Sequence, residues 1–149
     1  MKKGNIAPDI DFARTTVFSG KNPLPLPKKL SDIKTTYTVV VFGASWCHKC
    51  KEEIPQIATL YDNWKKNSVE VVFVSLDDKE SDFQTFVSSF PFISISDFKK
   101  WNSDIAKDYY VFGTPTMYLL NDKREILLRP NSVKQMDAWV DWFLVKGNR

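Results

Sequence analysis

Residues 42–55, FGASWCHKCKEEIP, hold both cysteines of the chain and its only histidine. Cys47 and Cys50 could form a redox couple, contribute to a metal site, or act as a structural staple. The flanking sequence discriminates among these. Just before them, YTVVVFGA (residues 37–44) is an almost continuous apolar, β-branched run, which predicts a strand buried on both faces. Just after them, Ile54, Ile57, Tyr61 and Trp64 recur at spacings of three, four and three. That stripe predicts an amphipathic helix starting near Cys47 and running to about Lys66. Lys65 and Lys66 suit its negative C-terminal end, and Asn67 can close it. Pro55 lies inside this pattern and predicts a kink.

A strand that runs straight into a helix puts Cys47 at a helix N-terminus. The partial positive charge and free N–H groups there favour thiolate over thiol. Cys50 follows one turn later, so both sulfurs can meet on one side. Such a pair can cycle between dithiol and disulfide, the second cysteine resolving a mixed disulfide made by the first. His48 and Lys49 can each carry positive charge beside the thiolate. Either would lower the Cys47 pKa and stabilise the reduced form, making the couple a stronger oxidant.

The metal reading has only Cys47, Cys50 and His48 to offer, whereas structural zinc takes four ligands. A structural disulfide closing so short a loop restricts the unfolded chain little. The pattern therefore favours the redox couple with no cofactor. The binding-module alternative is a thiophilic metal such as copper held by Cys47, Cys50 and His48.

Elsewhere, GNIAPDIDFARTTVF (residues 4–18) reads as an extended lead-in or short hairpin. Pro23, Pro25 and Pro27 forbid regular structure around them and predict a surface loop that pins its leucines onto the core. VEVVFVSL (69–76) predicts a second buried strand. DKESDFQTFVSSF (78–90) predicts a short helix with Phe83, Phe86 and Val87 on one face, stopped by Pro91. FISISDF (92–98) is a further strand or an irregular run. NSDIAKDYYV (102–111) predicts a helix capped by Asn102 or Ser103. TMYLL and EILLR flank NDKR as a β-hairpin. NSVKQMDAWVDWFL (131–144) predicts a final helix with Val133, Met136, Val140 and Phe143 facing the core. This order implies an α/β fold with a mixed central sheet and helices on both faces.

The chain has 149 residues, 43% of them hydrophobic and 26% charged, which suits one soluble domain spanning 1–149. A net charge of +3 with scattered lysine pairs offers no dense basic stripe, so nucleic acid is not an expected partner. No segment reaches the ~20 apolar residues that span a bilayer. MKKGNIAPDIDF (1–12) has lysines but no apolar run of a signal peptide. That leaves a cytoplasmic protein or a domain cut from a longer exported one.

At WCHKC, between a buried strand and a helix with an internal proline, the chain resembles the thioredoxin superfamily. FGTPT (residues 112–116) resembles that family's cis-proline loop, with Thr114 before Pro115. The length added at about 77–100, the lead-in and Pro-rich loop over 1–30, and the phrase KKLSDIKTTYTVVVFGASWC resemble the TlpA/ResA branch. Those are extracytoplasmic thiol–disulfide oxidoreductases, usually tethered to a membrane by a preceding segment.

The resemblance implies that Cys47 attacks, Cys50 resolves, Trp46 shields the sulfurs and Pro115 packs against the couple. It implies that Thr114 offers its backbone to an extended substrate, and that Glu53, three residues after Cys50, can accept a proton near the sulfurs. The implied partners are protein thiols and disulfides and an upstream thiol–disulfide electron donor, with the chain a monomer and a reductant. An oxidising or isomerising enzyme of the same class is the alternative that the His48-Lys49 dipeptide suggests. The acid that thioredoxin buries six residues before its first cysteine is replaced by Val41. Peroxiredoxin activity is discarded, because Ala44 and Val40 stand where its Thr or Ser and its Pro would.

Overall fold

The computed structural model describes residues 1–146. Its frame is one six-stranded sheet. Along the chain come β1 (Thr16–Phe18), β2 (Tyr37–Gly43), α1 (His48–Lys66), β3 (Val69–Ser75), α2 (Glu80–Val87), β4 (Ile93–Ser96), α3 (Asp104–Asp108), β5 (Thr116–Asn121), β6 (Ile126–Leu128) and α4 (Val133–Lys146). The spatial order is β1-β4-β3-β2-β5-β6. β2 pairs parallel with β3, and β3 parallel with β4, while β1, β5 and β6 join antiparallel. The long central strands are buried along their whole length, and the edges β1 and β6 have three residues each. Short edges limit unwanted strand pairing.

Side chains alternate across this sheet as a period of two requires. Val39, Val41, Val71, Phe73 and Leu119 enter one apolar cluster, covered by α1, α2 and α4. Val40, Phe42, Val72, Val74 and Tyr118 enter the other. That second face is covered differently. Only the short α3 packs there, and the lead-in supplies the rest through Ala7, Ile10, Phe12 and Leu30. The lead-in is held beside β6 by backbone bonds from Gly4 N to Ile126 O (2.7 Å) and from Ala7 N to Arg124 O (2.7 Å). Tyr109 donates its hydroxyl to Pro8 O at 2.5 Å and accepts at its carbonyl from Tyr118 at 2.7 Å, closing this layer. Burial pushes the Tyr109 phenol far above its ordinary range.

The stripe read from the sequence is the buried face of α1: Ile54, Ile57, Tyr61 and Trp64 are all buried. Trp64 donates from its indole to Asp137 at 3.0 Å, tying α1 to α4. Glu70, 4% exposed, is satisfied by the Tyr61 hydroxyl, the Val71 amide and Lys65. Pro55 sits within α1, which is one continuous element.

Several local expectations need correction. β1 makes no hairpin within the lead-in; it pairs with β4, because Ile93–Ser96 otherwise leaves an open edge. The Pro-rich loop docks its leucines only in part. Leu26 packs on the second cluster, but Leu24 is 78% exposed. α3 has five residues and is capped by Ser103, while Asn102 belongs to a preceding 3-10 turn.

At the end of β2 the backbone runs against α1 without room to spare. A Cβ on Gly43 would lie 2.5 Å from Ile54 Cδ1, 3.1 Å from Cys50 Sγ and 3.2 Å from Phe73 Cε1. Overpacking of this kind costs about 1–3 kcal/mol. Gly43→Ala should therefore lower the free energy of unfolding by about 1–3 kcal/mol, seen as a lower urea midpoint with the slope unchanged.

Candidate active site

β2 ends at Gly43, and the chain turns at once. Cys47 N bonds Ala44 O at 3.2 Å, closing a turn over residues 44–47. Cys47 is then the N-cap of α1, with extended backbone (φ −93°, ψ 116°). Its sulfur accepts the Cys50 amide at 3.2 Å, satisfying one of the free donors of the first helical turn. Cys47 and Cys50 are joined as a disulfide with their Cα atoms 5.2 Å apart, within the ordinary span of such a bridge.

The two sulfurs differ in environment. Cys50 is wholly buried among Ile54 and the first apolar cluster. Cys47 is half-buried and touches both clusters, at the point where they meet around the end of the sheet. Thr114 O lies 3.6 Å from Cys47 Sγ. The Thr114–Pro115 peptide bond is cis, and both residues are half-buried. Thr116 begins β5 and pairs with Phe42, so the loop ending at Pro115 is carried to the same sheet end as the cysteines.

Around the couple, Trp46 is 43% exposed and stands 6.0 Å, centroid to centroid, from Trp101. Lys100 places its ammonium 5.4 Å over the Trp46 ring. His48 points into solvent and pairs through Nε2 with Glu52 Oε1 at 3.0 Å, one helical turn on. Lys49 is exposed. Glu53 is half-buried on α1 and makes no hydrogen bond or ion pair among the described residues. Val41, at the place of the missing acid, is buried in the first cluster.

The structure thus gathers Trp46, Cys47, His48, Lys49, Cys50, Thr114 and Pro115 at one end of the sheet. It adds residues that sequence reading passed over. Trp101 and Lys100 come from a 3-10 turn whose KKW triplet carries no periodicity to mark it. Beneath the turn, the wholly buried Asp77 accepts the Ser45 hydroxyl at 2.5 Å. Its only sequence signal was an aspartate directly after a buried strand. Among the described residues, no group of three or more His, Cys, Asp and Glu could hold a metal ion.

The profile of the family described as thioredoxin-like matches residues 35–126. Sporulation thiol-disulfide oxidoreductase A of Bacillus subtilis is 32% identical over 114 residues, covering 70% of this chain and 66% of that protein. Thiol-disulfide oxidoreductase ResA of Oceanobacillus iheyensis is 31% identical over 123 residues, covering 83% of this chain and 62% of that one. The chain therefore spans somewhat less than two-thirds of these relatives. A crystal structure described as a thiol:disulfide interchange protein DsbE from Chlorobium tepidum superposes with a TM-score of 0.72 at 27% identity, covering 99% of this chain and 97% of that one. The thioredoxin domain of a Bacteroides vulgatus thiol-disulfide oxidoreductase shares the fold with a TM-score of 0.78 at 22% identity, covering 97% and 99%. The chain belongs to the thioredoxin-like family.

The difference between the sulfurs has a direct readout. After reduction, alkylation at mildly acid pH should label Cys47 first, because it caps the helix and reaches solvent while Cys50 is enclosed. Peptide mapping at partial modification checks this, and earlier labelling of Cys50 would reverse the assignment.

Proposed function

We propose that this thioredoxin-like chain is a thiol–disulfide oxidoreductase acting on protein cysteines through the Cys47–Cys50 couple. One observation carries the reading: a disulfide at the N-terminus of α1 has its accessible sulfur 3.6 Å from the carbonyl of Thr114. A substrate strand lying along residue 114 would bring its own sulfur to Cys47.

As a reductant, the Cys47 thiolate attacks one sulfur of a substrate disulfide and expels the other as a thiolate. Cys50 then loses its proton and attacks Cys47 Sγ. The second substrate sulfur leaves, and the Cys47–Cys50 disulfide carries away the two oxidising equivalents. Glu53 takes the Cys50 proton in this scheme, being half-buried one turn further along α1. Trp46 limits water at the sulfurs, and Thr114 and Pro115 hold the substrate. An upstream dithiol restores the couple.

The domain is proposed to run over 1–149, with the lead-in and Pro-rich loop over 1–30 and added length at about 77–100. It works as a monomer in an extracytoplasmic compartment, tethered by a segment outside this chain. The resemblance of its lead-in and CxxC segment to the extracytoplasmic TlpA/ResA branch supports this placement.

Reduction of insulin disulfides with dithiothreitol as electron source tests the reading. Cys47→Ser should lose the activity entirely, and Cys50→Ser should trap a mixed disulfide visible by intact mass. A wild-type protein that fails to exchange with glutathione at any ratio would overturn the proposal.

His48 has a smaller expected effect. Its side chain is exposed and pairs with Glu52, so solvent and salt screen any charge it carries. His48→Ala and His48→Pro should both raise the Cys47 pKa and make the couple more reducing, by less than a factor of ten in the glutathione equilibrium, or about 30 mV.

A further inference from the structure

Asp77 is wholly buried, yet no lysine, arginine or histidine among the described residues bonds to it. Its carboxylate is held by serines that lie far apart in sequence. Oδ1 accepts the Ser45 hydroxyl at 2.5 Å and the Ser45 amide at 3.2 Å, and Oδ2 accepts the Ser75 hydroxyl at 2.6 Å. Ser75 Oγ in turn accepts the Asp77 amide at 3.0 Å. On the far side, Ser96 donates to Ser75 O at 2.9 Å and accepts the Phe98 amide at 3.1 Å. The buried carboxylate thus joins the end of β3 to the turn at 44–47, and Ser96 of β4 ties to the same segment through the Ser75 carbonyl.

Ser45 stands two residues before Cys47, inside the turn closed by Cys47 N and Ala44 O. Consecutive Cα atoms are ~3.8 Å apart, so Ser45 and Cys47 Cα atoms lie within about 8 Å. The charged neighbours that share a surface depression with Ser45 are Lys51 of α1 and Asp82 of α2, both on its solvent side. A charge buried beneath the turn is screened less than one in water. Two consequences follow from the one placement. The carboxylate holds the turn that presents Cys47, and its negative charge works against a thiolate there.

We infer that Asp77 is the positioning residue of the Cys47 turn and that its buried charge opposes the Cys47 thiolate, biasing the couple toward reducing strength. The inference deepens the proposed disulfide exchange and rests on it.

Asp77→Asn keeps the size and one acceptor oxygen for the Ser45 amide, and the Ser75 hydroxyl can accept from the new NH2. Ser45→Ala keeps the charge and removes its hydroxyl donor, leaving the carboxylate less compensated. The Cys47 pKa, read from alkylation rate against pH, should fall in Asp77→Asn and rise in Ser45→Ala. The glutathione equilibrium of Asp77→Asn should move about tenfold toward the dithiol, equivalent to about 30 mV. A carboxylate that merely braced the turn would loosen it in both variants and shift both pKa values the same way, or neither. Either result overturns the inference. The alkylation arm needs no exchange activity, so a wild type inert toward glutathione would sink the proposed function while still deciding the role of Asp77. Should Asp77→Asn fail to fold, an unchanged or lowered Cys47 pKa in Ser45→Ala alone is enough to reject the role.

Discussion

β2 has no solvent-facing side, and that constraint organises the molecule. A strand of valines and Phe42 must be covered above and below, so the chain has to supply two different lids for one sheet. α1, α2 and α4 make the first lid. The second lid needs the lead-in as much as it needs α3, which is too short to cover three central strands alone. Both lids stop just past the C-terminal end of β2, where the chain becomes partly exposed from Ser45 on. Cys47 is placed at that boundary and touches both apolar clusters, while Cys50, one turn later, is drawn fully under α1. The asymmetry between the two sulfurs is therefore a consequence of how the sheet is covered.

The charges around the couple divide along the same boundary. His48, Lys49 and Glu52 stand in water, where salt and solvent weaken them and where His48 pairs with Glu52. Asp77 lies under the turn with hydrogen bonds but no counter-ion among the described residues. Counting charges along the CHKC segment gives a positive site, whereas weighting them by burial brings forward a negative one. The helix end adds a partial positive charge to the balance, and its free amides include the Cys50 N–H directed at Cys47 Sγ.

What could be read in the sequence was whatever repeats locally. The 3-4-3 stripe on α1 and the buried runs of β2 and β3 leave little freedom, and their limits in the structure fall where the pattern puts them. Val133, Met136 and Val140 did the same for α4. Leu24 was misjudged because a proline-rich loop has no period to say which side faces in. The Asp77 network could not be read at all, since Ser45, Ser75 and Ser96 become neighbours only once β2, β3 and β4 are laid side by side. Trp101 is hidden for the same reason: its ring meets Trp46 across 55 positions of chain, and no local pattern connects them.

The meeting of Cys47 with Thr114 is a question of register. β2 and β5 are antiparallel neighbours, with Phe42 opposite Thr116 and Tyr37 opposite Asn121. Antiparallel pairing brings the last residues of β2 to the first residues of β5, so whatever follows Gly43 must face whatever precedes Thr116. The register is pinned because both strands are two-sided: a slip of one residue would exchange Met117 and Leu119 with Tyr118 and Leu120 between the two clusters. Tyr118 would then lose its bond to Tyr109 O and its place against Phe42. The aromatic packing on the second face thus enforces a distance on the functional edge. The carbonyl of Thr114 stays 3.6 Å from Cys47 Sγ because the core can accept the sheet in only one alignment.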